Sequence, residues 1–239
     1  MRKRASKFKQ PSKKHQPKSL KIIHEDRDII VIDKPSALLT TGNEKERDKT
    51  AIAYLNDYVR KGVIKSRNRV YAVHRLDRET SGVIVFAKHE EAQKHLQDEW
   101  FNTSGKIYHA VVHGKPAAKS GKYSSYLAEN GIHKMFTTKD KLRGKLAETT
   151  YKVVRESADY SLLELDLLTS RKHQSRVQLA DAGCAIVGDK KYGNGEKGVK
   201  RLTLHATSIE ITHPFSKEPM TFKTELPAYF EVFMKKAKS

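Results

Sequence analysis

The chain has 239 residues, enough for one substantial domain or two small ones, which excludes a solenoid array or a large multidomain enzyme. Hydrophobic residues make up 37% and charged residues 31%, so a core can form beneath a heavily solvated surface. Lys and Arg number 47 against 28 Asp and Glu, and the resulting +19 points to a polyanionic partner, with nucleic acid ahead of an anionic membrane surface.

Residues 1–20 are almost devoid of apolar side chains, and nine Lys and Arg lie between Arg2 and Lys21. Such a segment cannot bury enough surface to offset its ordering entropy, so it reads as a disordered basic arm ahead of a domain spanning residues 21–239. Ile29-Ile30-Val31-Ile32 is a β-branched run that ends at Asp33-Lys34-Pro35, as a buried strand entering a turn does. Ala51–Arg60 places Ile52, Leu55 and Val59 at helical spacing, with Gly62 just beyond. Val70–Val73 and Val83–Ala87 read as strands on either side of the polar segment His74–Gly82, the place where chemistry could sit.

Glu90–Phe101 follows as a helix with Ala92, Leu96 and Trp100 on one face. Ile107–Val112 is strand-like, and its period of two separates Tyr108, Ala110 and Val112 from Ile107, His109 and Val111. The polar, glycine-punctuated stretch from about Ala117 to Leu146 reads as hairpins and loops. Thr149–Val154 and Leu162–Leu168 form a hairpin pattern in which Leu163, Leu165 and Leu167 alternate with Glu164 and Asp166. A short helix over Gln174–Ala182 capped by Gly183, strands near Leu202–Ile211 and a last helix over Tyr229–Lys236 complete the pattern. Strands outnumber helices without strict alternation, which predicts an α+β fold built on a mixed sheet.

No apolar run reaches the roughly 18 to 20 residues of a membrane span, and the start lacks the apolar stretch of a secretory signal, so a cytoplasmic location is expected. Cys184 is the only cysteine and can supply neither an internal disulfide nor a thiolate metal site; its expected role is that of a small buried hydrophobe. Gly193–Gly198 spells G-x-G-x-x-G but lacks the strand before and the helix after that give those glycines their use. The histidines have no metal-ligand spacing, so no metal is expected, and Asn102-Thr103-Ser104 is a glycosylation sequon in spelling only.

His74-Arg75-Leu76-Asp77-Arg78-Glu79-Thr80-Ser81-Gly82 sets one carboxylate between two arginines and a Thr-Ser-Gly turn. It stands in order with Ile29-Val-Ile-Asp-Lys-Pro35, Lys106-Ile-Tyr108, Thr169-Ser-Arg-Lys-His-Gln-Ser-Arg176, Gly188-Asp-Lys-Lys-Tyr-Gly193 and Leu204-His-Ala206. Read together, these segments closely resemble the RluA family of RNA pseudouridine synthases from about Ile22 to Phe230. The resemblance implies cofactor-free isomerisation of uridine in ribosomal or transfer RNA, on a mixed, largely antiparallel sheet flanked by helices, without the S4 module of some relatives. The family's catalytic aspartate falls on Asp77, its active-site tyrosine on Tyr108 and its aspartate-pairing arginine on Arg171. Arg75 inherits a part in RNA engagement and base flipping, and Arg78, His173 and Arg176 are the further RNA-binding candidates. The family pattern Thr-Gly-Arg-Thr-His-Gln-Ile-Arg is altered here at Ser170, Lys172 and Ser175.

The implied reaction breaks the bond between uracil N1 and the sugar C1′, turns the base and rejoins it through C5. It involves no redox change and no energy input, so no metal or nucleotide is called for. A carboxylate suits the first step because it can attack C1′, stabilise positive charge on the sugar or take a proton. A guanidinium at its side favours the ionised form and fixes its direction. A tyrosine offers a ring to stack on the base, although a phenol with an ordinary pKa near ~10 is a costly base at neutral pH. A stacked uridine is out of reach, so it must be extruded, and cations attract the phosphates irrespective of sequence. The competing reading is a catalytically silent RNA-binding module, which would have no need of the three residues Asp77, Tyr108 and Arg171.

Overall fold

The computed structural model describes residue 17 and residues 20–63, 65–100, 105–193 and 198–235. Most of the basic arm, the sequon, Phe101, the middle of Gly193–Gly198 and Lys236 lie outside the described residues. The chain packs as two compact units, one comprising residues 1–103 and 211–222 and the other residues 104–210 and 223–239. Among the described residues, no helix is long and apolar enough to cross a membrane.

In the first unit β1 (Lys21–Glu25) and β2 (Ile29–Lys34) form a hairpin, and β2 pairs antiparallel with β4 (Ser81–Ala87) from Ile29↔Ala87 to Lys34↔Gly82. Every residue of β4 and all but Asp33 of β2 are buried, as expected of unbroken apolar runs covered on both faces. Helix α1 (Ala51–Arg60) has the predicted bounds; the Thr50 hydroxyl accepts from Ala53 N–H at its start, and left-handed Lys61 stops it. The expected strand Val70–Val73 shrinks to β3 (Tyr71–Ala72), because side chains take the backbone groups beside it: Asn56 accepts from Val70 N–H and Gln93 donates to the Ala72 carbonyl. Helix α2 spans Glu90–Asp98 and is capped by the His89 imidazole.

In the second unit β5 (Lys106–His113) lies between β10 (Leu204–Thr212) and β9 (Tyr160–Leu167), and β8 (Lys145–Glu156), β6 (Ser120–Glu129) and β7 (Met135–Thr138) continue the order; these ladders are antiparallel. The chain passes into the first unit after Glu210, within β10, and β11 (Pro219–Lys223) pairs with that strand. The alternation read along β5 holds. Ala110 and Val112, with Tyr108 against them, join Leu163, Leu165 and the Leu179 of helix α3 (Gln174–Asp181), whereas Val111 packs with Leu162, Phe230 and Met234. Cys184 is buried in the first of these clusters, and Gly183 ends α3 with a positive φ. The last predicted helix is a 3-10 turn over Ala228–Phe230 followed by the single turn α4 (Glu231–Met234). The architecture is a mixed α+β one, strand-rich with few helices.

Candidate active site

Asp77 sits in the polar connection between β3 and β4, and its neighbours show how a loop without regular structure is held. Leu76 is buried, and both of its backbone groups engage one hydroxyl: Leu76 N–H donates to Thr40 Oγ1 at 3.1 Å, and Thr40 Oγ1 donates to the Leu76 carbonyl at 2.9 Å. With Leu76 inward, Arg75 points to solvent and Asp77 is half-buried. Ser36 Oγ donates to the Glu79 carbonyl at 2.7 Å, and Asp77 O accepts from Thr80 N–H. The imidazole of His74 lies 4.3 Å from the Trp100 ring and accepts from Val85 N–H of β4.

Lys34 is fully buried beneath this loop, an unusual place for an ammonium. Its Nζ donates to the carbonyls of Leu38 at 2.7 Å, Pro35 at 3.1 Å and Arg78 at 3.3 Å. Burial lowers its pKa to about 7, against the opposing pull of Asp77 and Glu79. The side chain of Arg78 is ion-paired with Glu46, so this RNA-binding candidate starts from an internal contact.

The remaining candidates belong to the second unit. Tyr108 is half-buried on β5 between Ala206 and Leu165. Arg171 lies in the turn before α3; its Nε donates to the Leu146 carbonyl at 3.0 Å and its N–H to Gln174 Oε1 at 3.1 Å. Gln174 in turn accepts from Thr169 Oγ1 and donates to Glu148 O and Thr149 Oγ1, so one buried amide shapes the whole approach to the helix. His173 adopts a left-handed conformation at the helix start, and its Nδ1 meets the Tyr192 hydroxyl at 2.7 Å. That hydroxyl also accepts from Met135 N–H at 3.1 Å, so it links the start of α3 to β7.

Arg176 is buried rather than presented to solvent. Its Nε and Nη2 bond Asp189 Oδ2 and Oδ1 at 2.8 and 2.9 Å, and the guanidinium lies 5.4 Å from the centre of the Tyr192 ring. Burial pushes the Asp189 carboxyl up, but Arg176 and the N–H groups of Lys191 and Tyr192 outweigh it and hold the carboxyl below its ordinary range. Gly188 makes this turn possible: its φ is +78°, and a Cβ there would stand 2.1 Å from the Arg201 carbonyl oxygen. The Gly188–Gly193 segment is recognisable in the sequence, yet the partnership of Asp189 with Arg176 is not, since nothing in the spacing of 13 residues marks it.

Among the described residues, Asp26, Asp28 and His213 are the grouping with metal-ligand character. Their hydrogen bonds argue for another role. His213 Nδ1 accepts from Phe215 and Ser216 N–H, which leaves the ring proton on Nε2, where it is donated to Asp26 Oδ2 at 3.2 Å. A cation at Nε2 would have to displace that proton, so the cluster reads as a hydrogen-bonded tie, joined by His24 on Asp26 and His89 on Asp28.

Residues 28–181 match the RNA pseudouridylate synthase family. An uncharacterized RNA pseudouridine synthase of Mycoplasma genitalium is 36% identical over 90% of this chain and 70% of its own length. Ribosomal large subunit pseudouridine synthase C of Rickettsia felis is 35% identical over 87% of this chain and 68% of its own. The human RNA pseudouridylate synthase domain containing 4 shares the fold, with a TM-score of 0.73 over 88% of this chain and 90% of that one at 24% identity. The chain belongs to the RluA family of RNA pseudouridine synthases and is an RNA-modifying isomerase.

Proposed function

We propose that the enzyme isomerises a specific uridine of ribosomal RNA, with transfer RNA as the alternative substrate, and that Asp77 is its catalytic carboxylate and no cofactor takes part. The arrangement that carries this reading is the anchored loop in which buried Leu76 separates outward Arg75 from half-buried Asp77. A carboxylate on a loop pinned by Thr40, Ser36 and Lys34 is pre-positioned, and pre-positioning lowers the cost of reaching the transition state. Relatives named ribosomal large subunit pseudouridine synthases support ribosomal RNA as the substrate.

In the proposed reaction the N1–C1′ bond breaks, C5 takes the place of N1 on the sugar, C5 loses a proton and N1 gains one, so the product has the formula of the substrate. Asp77 assists the break by attack on C1′ or by stabilising the positive sugar. Tyr108 stacks on the extruded base, and Arg171, which matches the family's aspartate-pairing arginine, completes the catalytic set. Arg75, the outward member of the loop, takes the place of the departed base or holds the distorted strand. Arg78 and His173 belong to the RNA-binding set, and the burial of Arg176 favours a positioning role for it over a phosphate contact. Mapping pseudouridine in total RNA from strains with and without the gene tests this reading. Loss of a site in large-subunit ribosomal RNA is expected; loss confined to transfer RNA would overturn the substrate assignment.

A further inference from the structure

The connection between β7 and β8 has features that chemistry at Asp77 does not use. Lys139-Asp-Lys-Leu-Arg-Gly-Lys145 contains four cations and one carboxylate, and the carboxylate is consumed internally. Asp140 Oδ1 accepts from the N–H groups of Leu142 at 2.9 Å and Arg143 at 3.2 Å. Asp140 N–H donates to Thr138 Oγ1, and Asp140 O accepts from Gly144 N–H. Gly144 is pressed against the strands, since a Cβ there would stand 2.7 Å from both Thr138 Cγ2 and Tyr126 Cβ. Arg143 rests over the Phe136 ring at 5.3 Å and Lys141 over the Tyr126 ring at 6.0 Å, so two of the cations are laid on aromatic supports. At the apex Leu142 is wholly exposed.

A single exposed leucine is ordinary on any protein. An ordered turn that ranges cations on both sides of it, with one oxygen of its acid held by the turn's own backbone, is a different matter. The turn also leads directly into β8, where the Leu146 carbonyl holds Arg171, so it adjoins the segment that begins α3.

We propose that the Lys139–Lys145 turn is a second RNA-contacting element that grips a double-helical stem, with Lys141 and Arg143 on phosphates and Leu142 set against riboses or base edges. The wide, shallow minor groove of an A-form helix admits such a blunt tip, and apolar tips between cations are a known means of engaging a nucleic-acid groove. The proposal rests on the assignment of the chain as an RNA enzyme.

Binding of the full chain to a hairpin RNA with a stem of about 16 base pairs, and to single-stranded polyuridylate, separates the outcomes by fluorescence anisotropy across salt concentrations. Lys141→Gln combined with Arg143→Gln should weaken hairpin binding about tenfold and reduce the slope of log affinity on log salt by about 1.5. Leu142→Ala should weaken it about fivefold with the slope unchanged. Wild-type affinity in either variant, or an equal loss on polyuridylate, overturns the proposal. All three side chains lie on the surface of the turn, so the variants fold, and thermal unfolding checks it. Pseudouridine formation by the wild-type chain is measured on the same RNA: its absence would count against the reaction assigned to Asp77 while the binding comparison, which needs no turnover, stands.

Discussion

Lys34 Nζ donates a hydrogen bond to the carbonyl of Arg78, 44 residues away, and so ties the strand β2 to the residue that follows Asp77. Removing the ammonium in Lys34→Met leaves the carbonyls of Pro35, Leu38 and Arg78 without their donor in a buried place. The cost should be about 3 kcal/mol of stability, measured by urea denaturation. The pH dependence has a definite sign. The folded pKa of about 7 lies below the ordinary 10.5, so between those values the unfolded chain holds more protons, and wild-type stability gains a component that rises with pH. That component should vanish in Lys34→Met.

Asp77→Asn keeps the shape of the side chain and removes its charge and nucleophilicity. Single-turnover pseudouridine formation should fall by about 10³-fold while RNA affinity stays within a few fold. Substantial turnover by the purified variant would eliminate Asp77 as the essential group.

Arg171 and Arg176 should separate in opposite directions. Arg171 is half-buried and bonds a carbonyl, so Arg171→Ala should cost no more than about 1 kcal/mol of stability yet lower the single-turnover rate at saturating RNA. Arg171→Lys should recover only part of that rate, since an ammonium supplies charge without a planar fork. If alanine instead raises KM and leaves the rate near wild type, Arg171 is a phosphate contact. Asp189→Asn, by contrast, strips the counter-charge from a buried guanidinium and should cost about 3 to 5 kcal/mol in the same denaturation assay.

The carboxyl of Asp26 is raised by burial but lowered more by His24 and by the N–H groups of Ile29 and Asp28, for a net pKa of about 2 against an ordinary 3.8. Its contribution to stability is therefore complete above pH 3.8 and lost as pH falls through 2. Because the group is partly exposed, the contribution should be about 1 kcal/mol. The stability difference between wild type and Asp26→Asn, followed across that interval, should shrink accordingly.

Much of this architecture was legible because its signals are local. The bounds of α1, the two faces of β5 and the alternation along β9 follow from side-chain period, and the HRLD segment is recognisable from its residues alone. The extent of β6 and β7 was not, since their residues are largely half-exposed and polar, leaving no apolar period to read. Lys34 gives no sign of burial in a Lys-Pro turn, because what buries it is the Asp77 loop far along the chain. Arg176 likewise reads as a phosphate contact until Asp189 is found beside it.

The tie between Asp26 and His213 spans 187 positions, and both residues belong to the first unit. During synthesis, Asp26, Asp28 and the strands around them leave the ribosome long before the imidazole that completes their hydrogen bonding. Domains generally fold as units and N-terminal ones first, but this unit cannot close until its second segment, 211–222, has emerged. A chain cut at Thr103 would retain the whole HRLD loop and still lack that closing imidazole, so emergence of the segment 211–222, rather than of the first half, sets the moment at which the hydrogen bonding of Asp26 and Asp28 is complete.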